Sequence, residues 1–147
     1  MKNVIIRESA YDPWLLLGEF QHARFGDSAE YGATAVFTGT MRDFNEGDTV
    51  RAMTLEHYPG MTEAQLERLI DEAKSRWEVI DCFIAHRVGQ INPAETIVIT
   101  AAWSAHRNAA FEACRYLIEE LKHNAPFWKK ERLADDSERW VTQNTAG

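Results

Sequence analysis

Four cations, Lys122, Lys129, Lys130 and Arg132, stand within eleven residues against the single carboxylate Glu131. The chain as a whole carries 16 Lys and Arg against 23 Asp and Glu, a net charge of −7, so this is a local positive patch in an acidic protein. A strand over this segment puts Phe127, Lys129 and Glu131 on one face and Trp128, Lys130 and Arg132 on the other, because side chains alternate along a strand. Such a patch with aromatic walls suits a small anionic ligand, and it equally suits a charged edge strand that discourages aggregation. Lys122 falls four residues after Ile118, at the edge of the apolar stripe Phe111, Cys114, Leu117, Ile118 and Leu121. A lysine there either snorkels over apolar surface at a helix C-terminus or sits as an amine in a partly dry pocket, where desolvation lowers its pKa and makes it useful as acid, base or nucleophile.

A second basic group lies elsewhere. Ser104 reads as a helix N-cap, which puts His106 and Arg107 in the first turn of a long helix. Cations at that end oppose the helix dipole unless an anion shares the site, and free N–H groups beside an arginine make a phosphate cradle. The plainer reading is an Arg107 that reaches back to a carboxylate and a His106 satisfied as an ordinary polar residue. Arg42, closing the run Phe37-Thr38-Gly39-Thr40-Met41-Arg42, is a further anion-ligand candidate. The Gly-rich phosphate loop, GxSxG and HExxH patterns and a DxD-type carboxylate cluster are absent, which removes the usual parts of nucleotide hydrolysis, serine hydrolysis and metal-assisted chemistry. Cys82 and Cys114 form no CxxC pair and read as two reduced, mostly buried thiols, so neither metal nor cofactor is expected. The net charge excludes a surface built throughout to grip nucleic acid. The N-terminus lacks a signal-peptide pattern and no stretch approaches a membrane span, so a cytoplasmic location is expected. The residues alone support a protein for a small phosphorylated, aromatic ligand.

The elements that must position these groups follow from periodicity. Residues 2 to 8 read as a strand, and Asp12-Pro13 caps a short helix through Trp14, Leu15 and Phe20. Gly32 to Arg42 and Val50 to Tyr58 read as a strand and its return, joined by a polar, mobile hairpin loop over 43–48. Pro59 opens a helix with the stripe Leu66, Leu69, Ile70, Ala73 and Trp77. Val79 to Val88 and Thr96 to Trp103 make a second hairpin across Gly89–Pro93, the long helix runs from about Ala105 to His123, and Phe127–Leu133 and Trp140-Val141 are short terminal strands. Hairpins and helices in separate blocks predict an α+β fold, one domain over 1–147 with antiparallel hairpins packed on two longer helices and a polar tail from about 141. A chain of 147 residues buries roughly 70% of its unfolded surface, enough for one core.

Several segments in order carry a resemblance over about Gly32 to Trp140. They are Gly32-Ala33 leading to Phe37-Thr38-Gly39 and Arg42, Leu55-Glu56-His57-Tyr58-Pro59-Gly60-Met61, His86-Arg87-Val88-Gly89, Ser104-Ala105-His106-Arg107 with Ala110-Phe111-Glu112-Ala113, and Leu121-Lys122 followed by Ala125-Pro126-Phe127-Trp128-Lys129-Lys130-Glu131. Together they resemble the large, catalytic subunit of molybdopterin synthase. That resemblance implies an α/β hammerhead-like fold and a sulfurtransferase that converts cyclic pyranopterin monophosphate to molybdopterin by adding two dithiolene sulfurs. The sulfur comes from the C-terminal thiocarboxylate of a small ubiquitin-like carrier subunit ending in Gly-Gly, so no catalytic cysteine is needed. The assembly implied is a heterotetramer around a homodimer of large subunits. Position by position, Lys122 and Lys129 match the catalytic lysines, and Thr40, Met41, Arg42, His106, Arg107, Lys122, Lys129, Lys130 and Glu131 match the pterin and phosphate site. His86-Arg87 is taken as structural, and residues after Trp140 stay outside the site. Two other functions fit the same basic groups: a scaffold that only binds the carrier's tail, and a cyclic-phosphate or sugar-phosphate hydrolase using His106 with Arg107.

Overall fold

A computed structural model describes residues 1–141 of the chain. The polar tail expected from about 141 therefore lies, Val141 apart, outside the described residues. The first sheet has the order β1-β5-β7-β2, with β1 over Val4–Arg7, β5 over Val79–Arg87, β7 over Thr96–Ser104 and β2 over Ala33–Thr40. The β5–β7 hairpin expected from the sequence is present, Cys82 facing Ala102 and Ile84 facing Thr100. β1 joins β5 in parallel, a pairing that local patterns do not reveal.

Helices cover both faces of this sheet, which is why β5 and β7 read as near-continuous apolar runs. On one face lie α2 (Met61–Arg76) and α3 (Arg107–His123), and Leu66, Leu69, Ala73, Ala110, Ala113 and Leu117 pack there against Ile84, Val98 and Ala102. On the other, α1 (Pro13–Phe25) buries Leu16, Phe20 and Phe25 against Phe83, Ile99 and Trp103, with the Phe20 and Phe83 rings stacked at 4.6 Å. Asp12 caps α1 as expected, its Oδ1 accepting from the N–H groups of Trp14 (2.9 Å) and Leu15 (3.2 Å). Leu66, Leu69, Ile70 and Ala73 of the α2 stripe are buried as read, but Trp77 lies just past the helix end and is half-buried, and the helix starts at Met61 rather than at Pro59, with the Gly60 N–H donating to the Glu63 carboxylate at 3.1 Å.

The pairing of one strand and the face of one aromatic residue differ from expectation. The strands at 33–40 and 48–57 are not partners: β2 pairs with β7, whereas β4 (Asp48–His57) belongs to a second sheet in which β3 (Phe44–Asn45), β4, β8 (Phe127–Leu133) and β9 (Glu138–Trp140) follow one another and β6 (Gly89–Ile91) adds along β4. A register shift at Gly39/Thr40 and the burial of Met41 in the second sheet's core turn the chain out of the first sheet. Only β3 (Phe44–Asn45) hairpins with β4, through a two-residue turn in which Glu46 and Gly47 both have positive φ, 53° and 80°. Phe111 is that aromatic residue, 65% exposed rather than buried. Ala110 and Ala113 occupy the inner face of α3, and Phe111, one residue and about 100° further round, turns outward.

β8 (Phe127–Leu133) runs antiparallel to β4 and carries β9 (Glu138–Trp140) on its far edge. The end of α3, the end of β2 and the inner face of β8 thus meet where the two sheets join.

Candidate active site

Two adjoining cavities occupy that junction, of about 90 and 130 Å³, and both are lined by Met53, Ile97, Lys122 and Lys129. The smaller has an apolar floor that includes Val98, Ile118, Leu121 and Phe127, with His86 beside them. The larger opens toward Thr40, Met41, Arg42, Phe44, Asn45 and Glu131. The alternation read along 127–132 holds: Phe127, Lys129 and Glu131 line these cavities, whereas Lys130 and Arg132 lie on the opposite face.

The four cations of the basic segment divide by face. Lys130 is paired with Glu138 at 3.1 Å and lies over the Trp140 ring at 5.2 Å, and Arg132 approaches the same carboxylate at 4.0 Å. Among the described residues, Lys122 and Lys129 have no carboxylate within ion-pair distance, and neither does Arg42, whose guanidinium lies 5.1 Å from the Phe44 ring. Burial lowers the pKa of Lys122, and the charge of Lys129 lowers it further. Burial also dominates at Lys129, where Glu131 and Glu46 pull the pKa up and Arg42 pushes it down. Both amines are thereby easier to deprotonate than a surface lysine.

Glu131 is not a free carboxylate. It is buried, Oε1 accepts from Arg139 Nε at 3.1 Å, and Oε2 accepts from Asn45 Nδ2 at 3.0 Å.

His86, read as structural, also lines the smaller cavity. Its Nδ1 lies 2.8 Å from the Arg87 carbonyl, which can only accept, so Nδ1 carries the proton. The ring stacks on Phe127 with centroids 4.0 Å apart. Burial, helped by the charges of Lys122 and His57, pushes its pKa down to about 4, so it presents a neutral ring to the cavity. The signal in the sequence was its place beside a glycine turn in a strand end. Arg87 is structural as read, buried with Nη2 donating to the Gln90 carbonyl at 2.6 Å and Nη1 facing Glu95 at 3.4 Å.

His106 and Arg107 are not brought to these cavities within the chain. Lys122 follows Arg107 by fifteen positions along α3, about 22 Å at the helical rise. Ser104 does not cap the helix: it ends β7, and its hydroxyl donates to the His106 carbonyl. His106 takes the N-cap position in an extended conformation with no side-chain cap bond, leaving the first N–H groups of α3 open beside exposed Arg107. Gly32 packs against this turn, its N–H donating to the Ser104 carbonyl at 3.0 Å. A Cβ there would lie 2.5 Å from the Ala105 carbonyl oxygen. Cys82 and Cys114 are both free and buried.

The family model described as MoaE protein matches residues 15–124. The chain is 45% identical over 141 residues to the molybdopterin synthase catalytic subunit of Ralstonia nicotianae, covering 96% of this chain and 77% of that one. Among solved structures it resembles the molybdopterin biosynthesis MoaE protein of Burkholderia ambifaria, with 40% identity, TM-score 0.79 and coverage of 100% and 93%. It also resembles molybdopterin synthase of Staphylococcus aureus, with 28% identity, TM-score 0.84 and coverage of 97% and 99%.

Proposed function

The chain belongs to the MoaE protein family, and from that membership we propose that the paired cavities are where a phosphorylated pterin receives sulfur from a carrier's thiocarboxylate. The protein is the catalytic subunit of a molybdopterin synthase, acting in molybdenum cofactor biosynthesis as a sulfurtransferase. The observation that carries the assignment of the site is the pair Lys122 and Lys129, half-buried where two adjoining cavities meet, one floored by apolar side chains and the other bordered by Arg42, with no carboxylate within ion-pair distance of any of the three among the described residues. Uncompensated cations of this kind are costly to a fold and match a ligand that brings negative charge.

The chemistry follows from that charge. The thiocarboxylate sulfur of the carrier attacks a side-chain carbon of the pterin as that carbon's bond to the cyclic-phosphate oxygen breaks and the ring opens. Water then cleaves the resulting thioester, releasing the carrier as its carboxylate and leaving the sulfur on the pterin, and a second carrier supplies the second sulfur. Lys122 and Lys129 stabilise the negative charge on the thiocarboxylate and on the departing phosphate oxygen, and with pKa values brought down by burial they also pass protons. Phe127 and His86 give the pterin ring a flat wall. Arg42, with Thr40 and Met41, borders the phosphate end. The small carrier subunit docks so that its C-terminal tail enters the cavity, and the assembly works in the cytoplasm. Among the described residues no helix is long and apolar enough to cross a membrane.

His106 and Arg107 join the site from a second copy. β2 is the end strand of its sheet, and Phe37 and Phe111 are exposed nearby on β2 and α3. In a two-fold antiparallel pairing along β2, the start of one β2 meets the end of the other, so one copy's Ala33 and the adjoining His106-Arg107 turn approach its neighbour's Thr40 and Arg42. Lys122→Ala and Arg107→Ala homodimers are then both inactive in dithiolene formation. Subunits mixed through unfolding and refolding recover about a quarter of wild-type activity, as random two-fold pairing dictates. No recovery contradicts the shared site, and full activity of Arg107→Ala alone removes that residue from it. The hydrolase reading requires product without a carrier, and the scaffold reading requires carrier binding without any product.

A further inference from the structure

The 43–48 segment, expected as a mobile loop, is tied down at one point. Arg139, on the outermost strand of the second sheet, faces Glu131 across the β8–β9 ladder. Its Nε donates to Glu131 Oε1 at 3.1 Å, its Nη1 to Asp48 Oδ2 at 2.9 Å and its Nη2 to the Asn45 carbonyl at 3.0 Å, while Glu46 lies 3.6 Å from Nη1. Asn45 closes the circuit by donating from Nδ2 to Glu131 Oε2 at 3.0 Å. Among the described residues β3 has ladder bonds only to β4, so this side-chain circuit is what fastens the tip of the hairpin to β8. The hairpin matters because Arg42, Phe44 and Asn45 are three of the walls of the larger cavity.

We propose that Arg139 is a positioning residue for the pterin site: through Glu131 and Asn45 it latches the β3–β4 hairpin onto β8 and so holds Arg42 and Phe44 against the cavity that contains Lys129. Glu131 serves as the fixed post of the latch, both of its oxygens engaged by protein donors. A guanidinium is the group that fits this place, since its fork reaches three acceptors on three strands at once, which a lysine ammonium on a single atom cannot span. The latch acts on binding of the ligand rather than on the chemical step, because it sets where the cavity wall stands and touches neither reacting group.

The assignment rests on the reading of the cavity as the pterin site, so its test has two arms. Amide hydrogen exchange on the free protein reads the latch without any ligand. Saturation kinetics with cyclic pyranopterin monophosphate and thiocarboxylated carrier reads its consequence. Arg139→Met is compared with Arg139→Lys and with Arg51→Met, which breaks the exposed Arg51–Asp136 ion pair of the same sheet and serves as the control. The expected result is exchange over residues 42–48 that is about tenfold faster in Arg139→Met, with α3 unchanged. KM for the pterin rises about tenfold and kcat stays within about twofold, a loss the size of one charge-assisted hydrogen bond. Arg139→Lys falls between, and Arg51→Met matches wild type in both arms. Should Arg139→Met not fold, Asn45→Ala, which removes the bond to Glu131 Oε2 and keeps Arg139, must give the same two changes. Unchanged exchange over 42–48 overturns the latch. Faster exchange with an unchanged KM overturns its role in binding. A wild type that turns over no pterin refutes the site reading, and the exchange arm still decides the latch.

Discussion

Asp81 is a buried charge and Lys129 a half-buried one, and the molecule treats them in opposite ways. Asp81, 4% exposed at the end of the first sheet, accepts from Asn3 Nδ2 at 2.7 Å, Arg24 Nε at 2.6 Å and the Cys82 N–H at 2.9 Å, with Lys74 Nζ at 3.7 Å. Those partners come from the N-terminal segment, α1, β5 and α2, so one carboxylate ties four elements together. Lys129 and its neighbour Lys122 have no such partner among the described residues, and the closest charges to Lys122 include another cation. A charge matched on every side holds a fold together, whereas a charge left unmatched in a half-buried cavity is held for something that arrives later.

The contrast is broken most severely at the lysines. In Lys122→Met, dithiolene formation falls by about two to three orders of magnitude, the size of losing one group that stabilises developing charge. The same substitution leaves the urea midpoint unchanged or raises it. The sign follows from the lowered pKa, since at neutral pH the ammonium is free in the unfolded chain and penalised in the folded one. A midpoint that drops by more than about 1 kcal/mol in equivalent stability shows that Lys122 is structural after all.

Asp81→Asn is the mirror image. It leaves Arg24 and Lys74, 39% and 42% exposed, facing a neutral amide and costs about 2 kcal/mol in urea unfolding, the size of hydrogen bonds lost to a charged group, while activity per folded molecule is retained. Loss of activity without loss of stability there erases the distinction between the two regions.

A pH-dependent effect sharpens it at His86, which belongs to the cavity but is neutral. With a folded pKa about 4, below the ordinary 6.5, the unfolded chain binds more protons than the folded one between those values. Stability contributed by the neutral ring is therefore fully present above about pH 6.5 and is lost as pH falls toward 4, by at most about 3 kcal/mol. His86→Phe flattens the part of the stability–pH curve that this ring causes. An unaltered curve means that the acid sensitivity lies elsewhere.

Much of this arrangement was legible in the residues. The stripes of α2 and α3, the β5–β7 hairpin, the alternation along β8 and the half-buried place of Lys122 all follow from periods of 3.6 and 2. The β2–β4 hairpin did not survive, because adjacency in sequence says nothing about Met41 being buried in the other sheet's core or about β7 as a competing partner. Phe111 was misplaced because an apolar residue at helical spacing is indistinguishable from its smaller neighbour Ala110 until the packed face is seen. Lys130 and Lys129 look alike in sequence, and the position of Glu138 on β9 separates the paired cation from the one that, among the described residues, has no carboxylate at ion-pair distance. Arg139 carried no signal at all, since its partners Asn45 and Asp48 lie some ninety residues away along the chain.

The central claim is that the unmatched lysines wait for a carrier-borne thiocarboxylate and a phosphorylated pterin, and one anaerobic assay tests it directly. The purified protein is mixed with cyclic pyranopterin monophosphate and either thiocarboxylated carrier or the same carrier ending in an ordinary carboxylate, and dithiolene product is measured. The account predicts product only with the thiocarboxylate, with Lys129→Ala losing it and Lys130→Ala, whose cation already has Glu138, retaining most of it. Product released without any carrier sulfur, or equal turnover by the folded Lys129→Ala variant, contradicts the account.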